Sequence, residues 1–229
     1  MKHLVLASTS PRRHDLLGQL GLPFEAARPA IDETPRPDEA PDVYVARLSH
    51  EKAAAVALAG GFPAGTLILS ADTTVADGNL IIGKPVDADE AVRTLRFLRG
   101  RPHMGYSGVT VWDVDRQQAQ TSLTATRVVM RPYRDEEIAA YVASGDAMGK
   151  AGSYAIQNPM FHPVASIEGC YTNVVGLPLC ALCAMLREQG IPLPRPVTCS
   201  PTHLPCQFQA PNSAHDAQAQ TRGQRTKLR

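Results

Sequence analysis

The segment Ser8-Thr9-Ser10-Pro11-Arg12-Arg13 places two guanidinium groups in the first turn of a helix that its proline is suited to open. Cations there oppose the positive end of the helix dipole, at a cost of roughly 0.3–1 kcal/mol each. A bound anion reverses that sign, because exposed N–H groups, hydroxyls and guanidinium forks together form a phosphate site. The same residues also read as a capped surface helix with two solvated arginines. Lys52 is a second oddly placed cation: Val45, Leu48, Val56 and Ala59 make an apolar stripe at helical spacing, and Lys52 falls in its middle. Either it snorkels to the rim or it faces a cleft that phosphate oxygens fill.

Asp72 follows the β-rich run Thr66 to Ala71, and the carboxyl end of a strand is where open α/β sheets place ligands. A carboxylate there can bind a divalent metal or take a proton from water. An Asx-turn made with Thr73 and Thr74 is the plainer role. Taken alone, Asp32-Glu33 in a proline-rich loop and Lys84 in Gly83-Lys84-Pro85 are ordinary solvated charges. Cys180 and Cys183 form C-x-x-C inside an apolar helix without a second ligand pair, which makes them core residues rather than zinc ligands. The sequence contains no Walker-A run, G-x-G-x-x-G fingerprint or G-x-S-x-G elbow, so P-loop, dinucleotide and α/β-hydrolase chemistry lose support.

These residues need elements to position them. Leu4 to Ala7 reads as a buried strand, followed by a helix from Pro11 to about Gly18 or Gly21. Val43 to Ala59 is a second helix, ended by Gly60-Gly61, and Asp77-Gly78-Asn79 signals a hairpin turn. Asp87 and Glu90 form a capping box for a helix that stops at Gly100. Strands follow at Tyr106 to Val114 and Thr124 to Met130. Asp135-Glu136-Glu137 opens a further helix closed by Gly145, and Pro178 to Gln189 is the last. Alternating strands and helices with hairpin signals predict an α/β domain over residues 1–194, its mixed sheet flanked by helices. From 195 a proline-rich and then polar, basic tail reads as disordered.

Composition narrows the partners. With 23 basic and 22 acidic side chains the net charge is +1, so no global field draws a nucleic-acid polymer or an anionic membrane. Any anion must be met by a local cluster. The N-terminal apolar run is too short for a secretory signal, and nothing approaches the ~20 apolar residues of a membrane span. Five irregularly spaced cysteines do not suggest a disulfide framework, which points to the cytoplasm.

Taken in order, several blocks resemble the Maf family of nucleotide pyrophosphatases over residues 3–190. They are Leu6-Ala7-Ser8-Thr9-Ser10-Pro11-Arg12-Arg13, Asp32-Glu33, Glu51-Lys52-Ala53, Ser70-Ala71-Asp72-Thr73, Gly83-Lys84-Pro85, the run from Lys150 to Gln157, Ile167-Glu168-Gly169 and Val175-Gly176-Leu177-Pro178. The resemblance implies a fold similar to inosine triphosphate pyrophosphatases with a central cleft. It implies that Asp72 is the catalytic base, that Ser8, Ser10, Arg12, Arg13, Lys52 and Lys84 hold a triphosphate, and that Glu33 lines the site. Thr73 and Gln157 would bear on base choice, and Asp72 with Glu33 would hold a divalent cation, Mg or Mn. The implied activity is hydrolysis of nucleoside triphosphates, dTTP and UTP above all, to monophosphate and pyrophosphate in nucleotide-pool housecleaning. Clearance of modified or deaminated purine triphosphates and a non-catalytic, division-linked binding role are the competing expectations. A homodimer is the assembly left open. Two positions depart from the family pattern: Gly149 stands where the family has Asp, and Asn158 where it has Gly.

Overall fold

The apolar N-terminal run forms β1 (His3–Ala7), which lies between two parallel neighbours, β2 (Glu25–Ala27) and β3 (Thr66–Asp77). The structure, a computed structural model, describes residues 2–194 and Cys199. From β3 onward the pairing is antiparallel. β3 pairs with β4 (Leu80–Ile82) across the Asp77-Gly78-Asn79 turn and with β5 (Pro102–Asp113) on its long side. β5 then pairs with β6 (Gln118–Met130), and β6 with β7 (Val164–Glu168). The order β2-β1-β3-β5-β6-β7, with β4 beside one end of β3, is the expected mixed sheet.

Helices flank it, five of them where the patterning predicts: α1 (Pro11–Gly18), α2 (Pro41–Ala59), α3 (Ala88–Leu98), α4 (Asp135–Ala143) and α6 (Leu179–Glu188), with a short α5 (Tyr171–Val175) besides. Period-two alternation along β3 sorts its side chains between two cores. Leu67 and Leu69 pack with Leu17 of α1 and Leu182 of α6, whereas Ile68 packs with Ala53 and Val56 of α2. A third cluster joins Leu95 of α3, Ile138 and Tyr141 of α4, Val128 and Tyr154 around the antiparallel half. Full burial of side chains such as Leu48 and Leu95 contributes about 1.5–3 kcal/mol each.

The main correction concerns Asp72, which was expected just past a strand and instead lies within β3. Parallel pairing with β1 ends at Leu6 and Leu69, but β5 accompanies β3 as far as Ala76 opposite Met104. The antiparallel partner carries the strand through Asp72-Thr73-Thr74, while the β1 side of the same segment is left open as a cleft. The cleft thus opens at the carboxyl end of β1, not of β3. Helix α2 begins at Pro41, before the expected Val43, and Ala59 at the end of the apolar stripe is exposed. Asp87 caps α3 by accepting from the Glu90 N–H at 2.7 Å, but Glu90 returns its bond to Val86 N–H rather than to Asp87, so the box closes one residue early. Strands β2 and β7 and helix α5 were not anticipated, being three to five residues long with weak patterning.

Cys183 is buried and Cys180 packs against the same core, as their helix predicts. No helix among the described residues is long and apolar enough to cross a membrane. The expected disorder of the tail lies outside the described residues, except at Cys199, which is buried at 4% exposure.

Candidate active site

A cleft of about 880 Å³ opens where β1 ends, and its lining collects residues from distant parts of the chain. Ser8, Ser10, Arg12 and Arg13 come from the β1–α1 junction, Glu33 from the following loop, Lys52 from α2, Asp72 and Thr73 from β3, Lys84 from beyond β4, and Gln157 from the loop before β7. Every residue singled out from the sequence therefore faces one volume. Two further charged lining residues, Arg28 and Asp146, are not singled out in the sequence, and Lys150 stands out there only as the start of a family block. In total six cationic and four acidic side chains line the cleft, a local positive excess that the near-neutral whole does not reveal.

Its centre is Lys52. Far from snorkelling to the rim, its side chain is only 6% exposed, and Nζ donates to Asp72 Oδ1 at 2.5 Å and lies 2.8 Å from Glu33 Oε1. Asp72 is equally enclosed at 9%. Glu33 reaches in from the exposed side at 45%, whereas Asp72 and Lys52 form a buried pair, and removing the ammonium would leave the Asp72 charge uncompensated. Lys84 lies 3.7 Å from the other oxygen of Glu33. Burial opposes ionisation of Glu33, but Lys52, Lys84 and Arg13 together outweigh it and hold its carboxyl below the ordinary range. The nearby Tyr44 hydroxyl, which donates to the Glu33 carbonyl at 2.9 Å, has its pKa pushed up to about 12 by burial and by the charges of Asp72 and Glu33.

The β1–α1 junction supplies the other pole. Ser8 N–H donates to Leu6 O, and Ser8 Oγ accepts from Ser10 N–H at 3.1 Å. Ser10 occupies the N-cap position of α1, but its side chain makes no capping bond, and the first turn carries no acidic residue. The positive end of the helix is thus left facing the cleft with Arg12 and Arg13 beside it, an arrangement that favours a bound anion. Burial lowers the pKa of both guanidinium groups, Asp146 offsetting this at Arg12 and Asp72 at Arg13. Both stay charged at any physiological pH.

The far wall is built on Asp146. Its carboxylate accepts from Lys150 Nζ at 2.9 Å, Asn158 Nδ2 at 2.9 Å and the Tyr141 hydroxyl at 3.2 Å. Asn158 Oδ1 meanwhile accepts from the Met160 and Phe161 N–H groups. Both ends of the Asn158 amide are therefore engaged within the wall, so this departure from the family pattern braces Asp146. At the other departure, Gly149 has φ of +68°, with open space around it. Gln157 is exposed on this wall.

Asp72 and Glu33 are the carboxylates able to meet a divalent cation. Among the described residues no group of three or more His, Cys, Asp or Glu side chains could hold one. Two carboxylates suit a cation carried largely by phosphate oxygens, as magnesium usually is. Lys52 uses one oxygen of each, which leaves Asp72 Oδ2 clear of it, while Glu33 Oε2 faces Lys84 at 3.7 Å.

The chain is similar to several known proteins. A protein from Pelotomaculum thermopropionicum named dTTP/UTP pyrophosphatase is 46% identical over 190 residues, covering 83% of this chain and 98% of its own. Proteins of the same name from Geobacter sulfurreducens and Sphingopyxis alaskensis are each 46% identical, covering 82% and 84% of this chain and 96% and 100% of theirs. Among solved structures the Staphylococcus aureus Ham1 protein is a distant likeness, with a TM-score of 0.41 and 11% identity over 57% of this chain and 73% of that one. Residues 3–189 match the family described as Maf-like protein, and the chain belongs to that family.

Proposed function

We propose that the protein hydrolyses nucleoside triphosphates at the α-phosphorus, releasing nucleoside monophosphate and pyrophosphate, with dTTP and UTP as preferred substrates. The observation that carries this reading is the Lys52–Asp72 contact inside a cleft whose remaining walls present Arg12, Arg13 and Lys84. Binding a triphosphate needs the cations alone. A carboxylate held among them, at a cost in Coulomb repulsion toward the substrate, is explained by proton abstraction. The three relatives named dTTP/UTP pyrophosphatase support the choice of nucleotide.

A nucleoside triphosphate brings about four negative charges, and α-attack moves more charge onto the departing pyrophosphate. Arg12, Arg13, Lys84 and the open first turn of α1 hold the phosphate chain and stabilise that charge as it develops. Asp72 orients a water in line with the leaving oxygen and accepts its proton as the water oxygen bonds to phosphorus. The bond from the α-phosphorus to the bridging oxygen breaks, and pyrophosphate takes the electron pair. Lys52 fixes the direction of the Asp72 carboxylate throughout. A divalent cation, Mg or Mn, held by Asp72 and Glu33 would add charge neutralisation at the phosphate oxygens.

For the base, Gln157 offers a donor and an acceptor and can match the edge that uracil and thymine share. A purine presents a different donor and acceptor pattern, which leaves that amide unmatched. The test is kcat/KM for dTTP, UTP, CTP, GTP, ITP and 7-methyl-GTP with Mg²⁺, scoring pyrophosphate and phosphate separately. Pyrophosphate release fastest from dTTP and UTP is expected. Faster turnover of ITP or 7-methyl-GTP than of both would overturn the nucleotide assignment, and release of phosphate alone would overturn the chemistry.

A further inference from the structure

The Thr73 hydroxyl sits at the junction of three groups. It lies 2.7 Å from Ser107 Oγ, 3.2 Å from the Gly176 carbonyl and 3.4 Å from Arg13 Nη2, while Arg13 Nε donates to that same carbonyl at 2.9 Å. One assignment of hydrogens and lone pairs satisfies every contact of this hydroxyl. A carbonyl can only accept and a guanidinium can only donate, so Thr73 gives its single hydrogen to Gly176 O and accepts from Arg13. Its second lone pair then takes the hydrogen of Ser107, which lies nearer to Thr73 than to the Asn173 carbonyl at 3.4 Å. Gly176 O accepts twice, from Arg13 Nε and from Thr73. The hydroxyl and the carbonyl are both saturated, with nothing left over for a nucleobase.

We propose that Thr73, with Ser107 behind it, is a positioning residue for Arg13, and that it takes no part in reading the base. The proposal rests on the pyrophosphatase reading for what Arg13 grips, and on geometry for the rest. Two of the five Arg13 N–H donors are fixed by Gly176 and Thr73, and three remain to meet phosphate oxygens. Ser107 is fully buried, so no water competes for its hydrogen.

The carbonyl end is equally fixed. Gly176 follows α5 with φ of +130°, and its N–H returns to Thr172 O. Asn173 anchors α5 to the sheet by donating to Gly105 O at 3.0 Å and to Thr126 Oγ1 at 2.9 Å. The relay therefore links β3, β5, β6 and α5 to one guanidinium plane, which suits a cation that must match a charge developing in a fixed direction.

The test uses Thr73→Val, Thr73→Ser, Ser107→Ala and Arg13→Ala in the full chain. Affinity is measured by calorimetry for non-hydrolysable α,β-methylene analogues of dTTP, UTP and CTP, alongside kcat/KM for the natural nucleotides. A positioning role predicts that Thr73→Val weakens all three analogues by the same factor, about tenfold, with Thr73→Ser restoring most of the loss. Ser107→Ala should give a smaller uniform loss, and Thr73→Val added to Arg13→Ala should cost less than about twofold more. A change in the dTTP-to-CTP ratio beyond about threefold in Thr73→Val, or full additivity with Arg13→Ala, would overturn the proposal. Wild-type protein that binds the analogues yet releases no pyrophosphate would overturn the functional reading alone, leaving the relay to be judged by affinity.

Discussion

Gly108 stands directly opposite Asp72 in the β3–β5 ladder, and a Cβ at Gly108 would fall 2.4 Å from the Val45 carbonyl oxygen. Helix α2 comes this close to β5 at Gly108 because no side chain intervenes. That close approach lets Lys52, two turns further along α2, reach the carboxylate. Ser49 between them donates to Ala46 O and lies 3.0 Å from Thr110 Oγ1, and Ser70 Oγ donates to Ser49 O, so polar contacts hold the same seam. Gly108→Ala should push α2 outward, at a cost of about 1–3 kcal/mol, and lengthen the Lys52–Asp72 contact. Thermal melting and kcat/KM should fall together. A variant with an unchanged melting temperature would show that the seam relaxes without strain.

Asp72→Asn should reduce turnover by about 10²–10⁴-fold while nucleotide still binds, because the amide keeps the shape but cannot accept the proton. Lys52→Ala should lose stability as well, leaving the carboxylates of Asp72 and Glu33 without the ammonium between them. Steady-state kinetics with a separate binding measurement distinguishes the two. Near wild-type kcat for Asp72→Asn at saturating substrate would remove it as the base.

How much of this could be read from the sequence depends on the range of the signal. Arg12, Arg13 and Lys52 stand out because they violate local rules, a helix dipole and an apolar stripe, and such violations are where function is expected. Asp72 was found but misplaced, since the run that ends at Ala71 shows no sign that β5 continues the pairing to Ala76. Gly108 went unread because a strand glycine reveals its reason only when a helix lies over it. Ser107, Asn173 and Asp146 carry no local anomaly at all. Their partners lie 34 or more residues away for Ser107 and Asn173, and Asp146 is defined by a loop that has no periodicity.

His103 gives the fold a pH dependence of definite sign. It is buried with Nε2 2.8 Å from the Tyr154 hydroxyl, and burial pushes its pKa down to about 4, with Asp77 countering only in part. The unfolded imidazole titrates near ~6.5, so between these values the unfolded chain binds more protons. Stability is therefore complete above the unfolded value and falls as pH drops from ~6.5 toward ~4, by at most about 3 kcal/mol. Denaturant titrations at pH 7.5 and 5.0 should show the decline in wild type, and a shallower one in His103→Gln. Equal slopes in the two proteins would assign the acid sensitivity to other groups.

Asn158→Gly, which restores the residue usual in the family, should cost about 1 kcal/mol through loss of the bonds to Asp146, Met160 and Phe161. Because both ends of the amide face the wall, the ratio of kcat/KM for UTP to that for CTP should move less than about twofold. A larger shift in that ratio would place Asn158 among the groups that select the base.

The tail offers a graded test. Cys199 is buried with Leu177, Leu182 and Cys183 in the core beneath α6, and its thiol pairs with that of Cys170 at the start of α5. This bond and burial both raise the Cys170 pKa, so the thiol stays protonated and packs as a small apolar group. Deleting 201–229 spares Cys199 and should leave melting temperature and kcat/KM unchanged. Deleting 196–229 removes it and exposes its partners, which should lower stability by about 1 kcal/mol. Activity should survive the longer deletion to within about tenfold, because Asn173 independently holds α5, and with it Gly176, against β5 and β6. Identical melting temperatures for the two truncations would show that Cys199 contributes nothing to the core. A fall in kcat/KM beyond tenfold in the longer deletion alone would show that the Cys170–Cys199 contact helps to place the Gly176 carbonyl on Arg13.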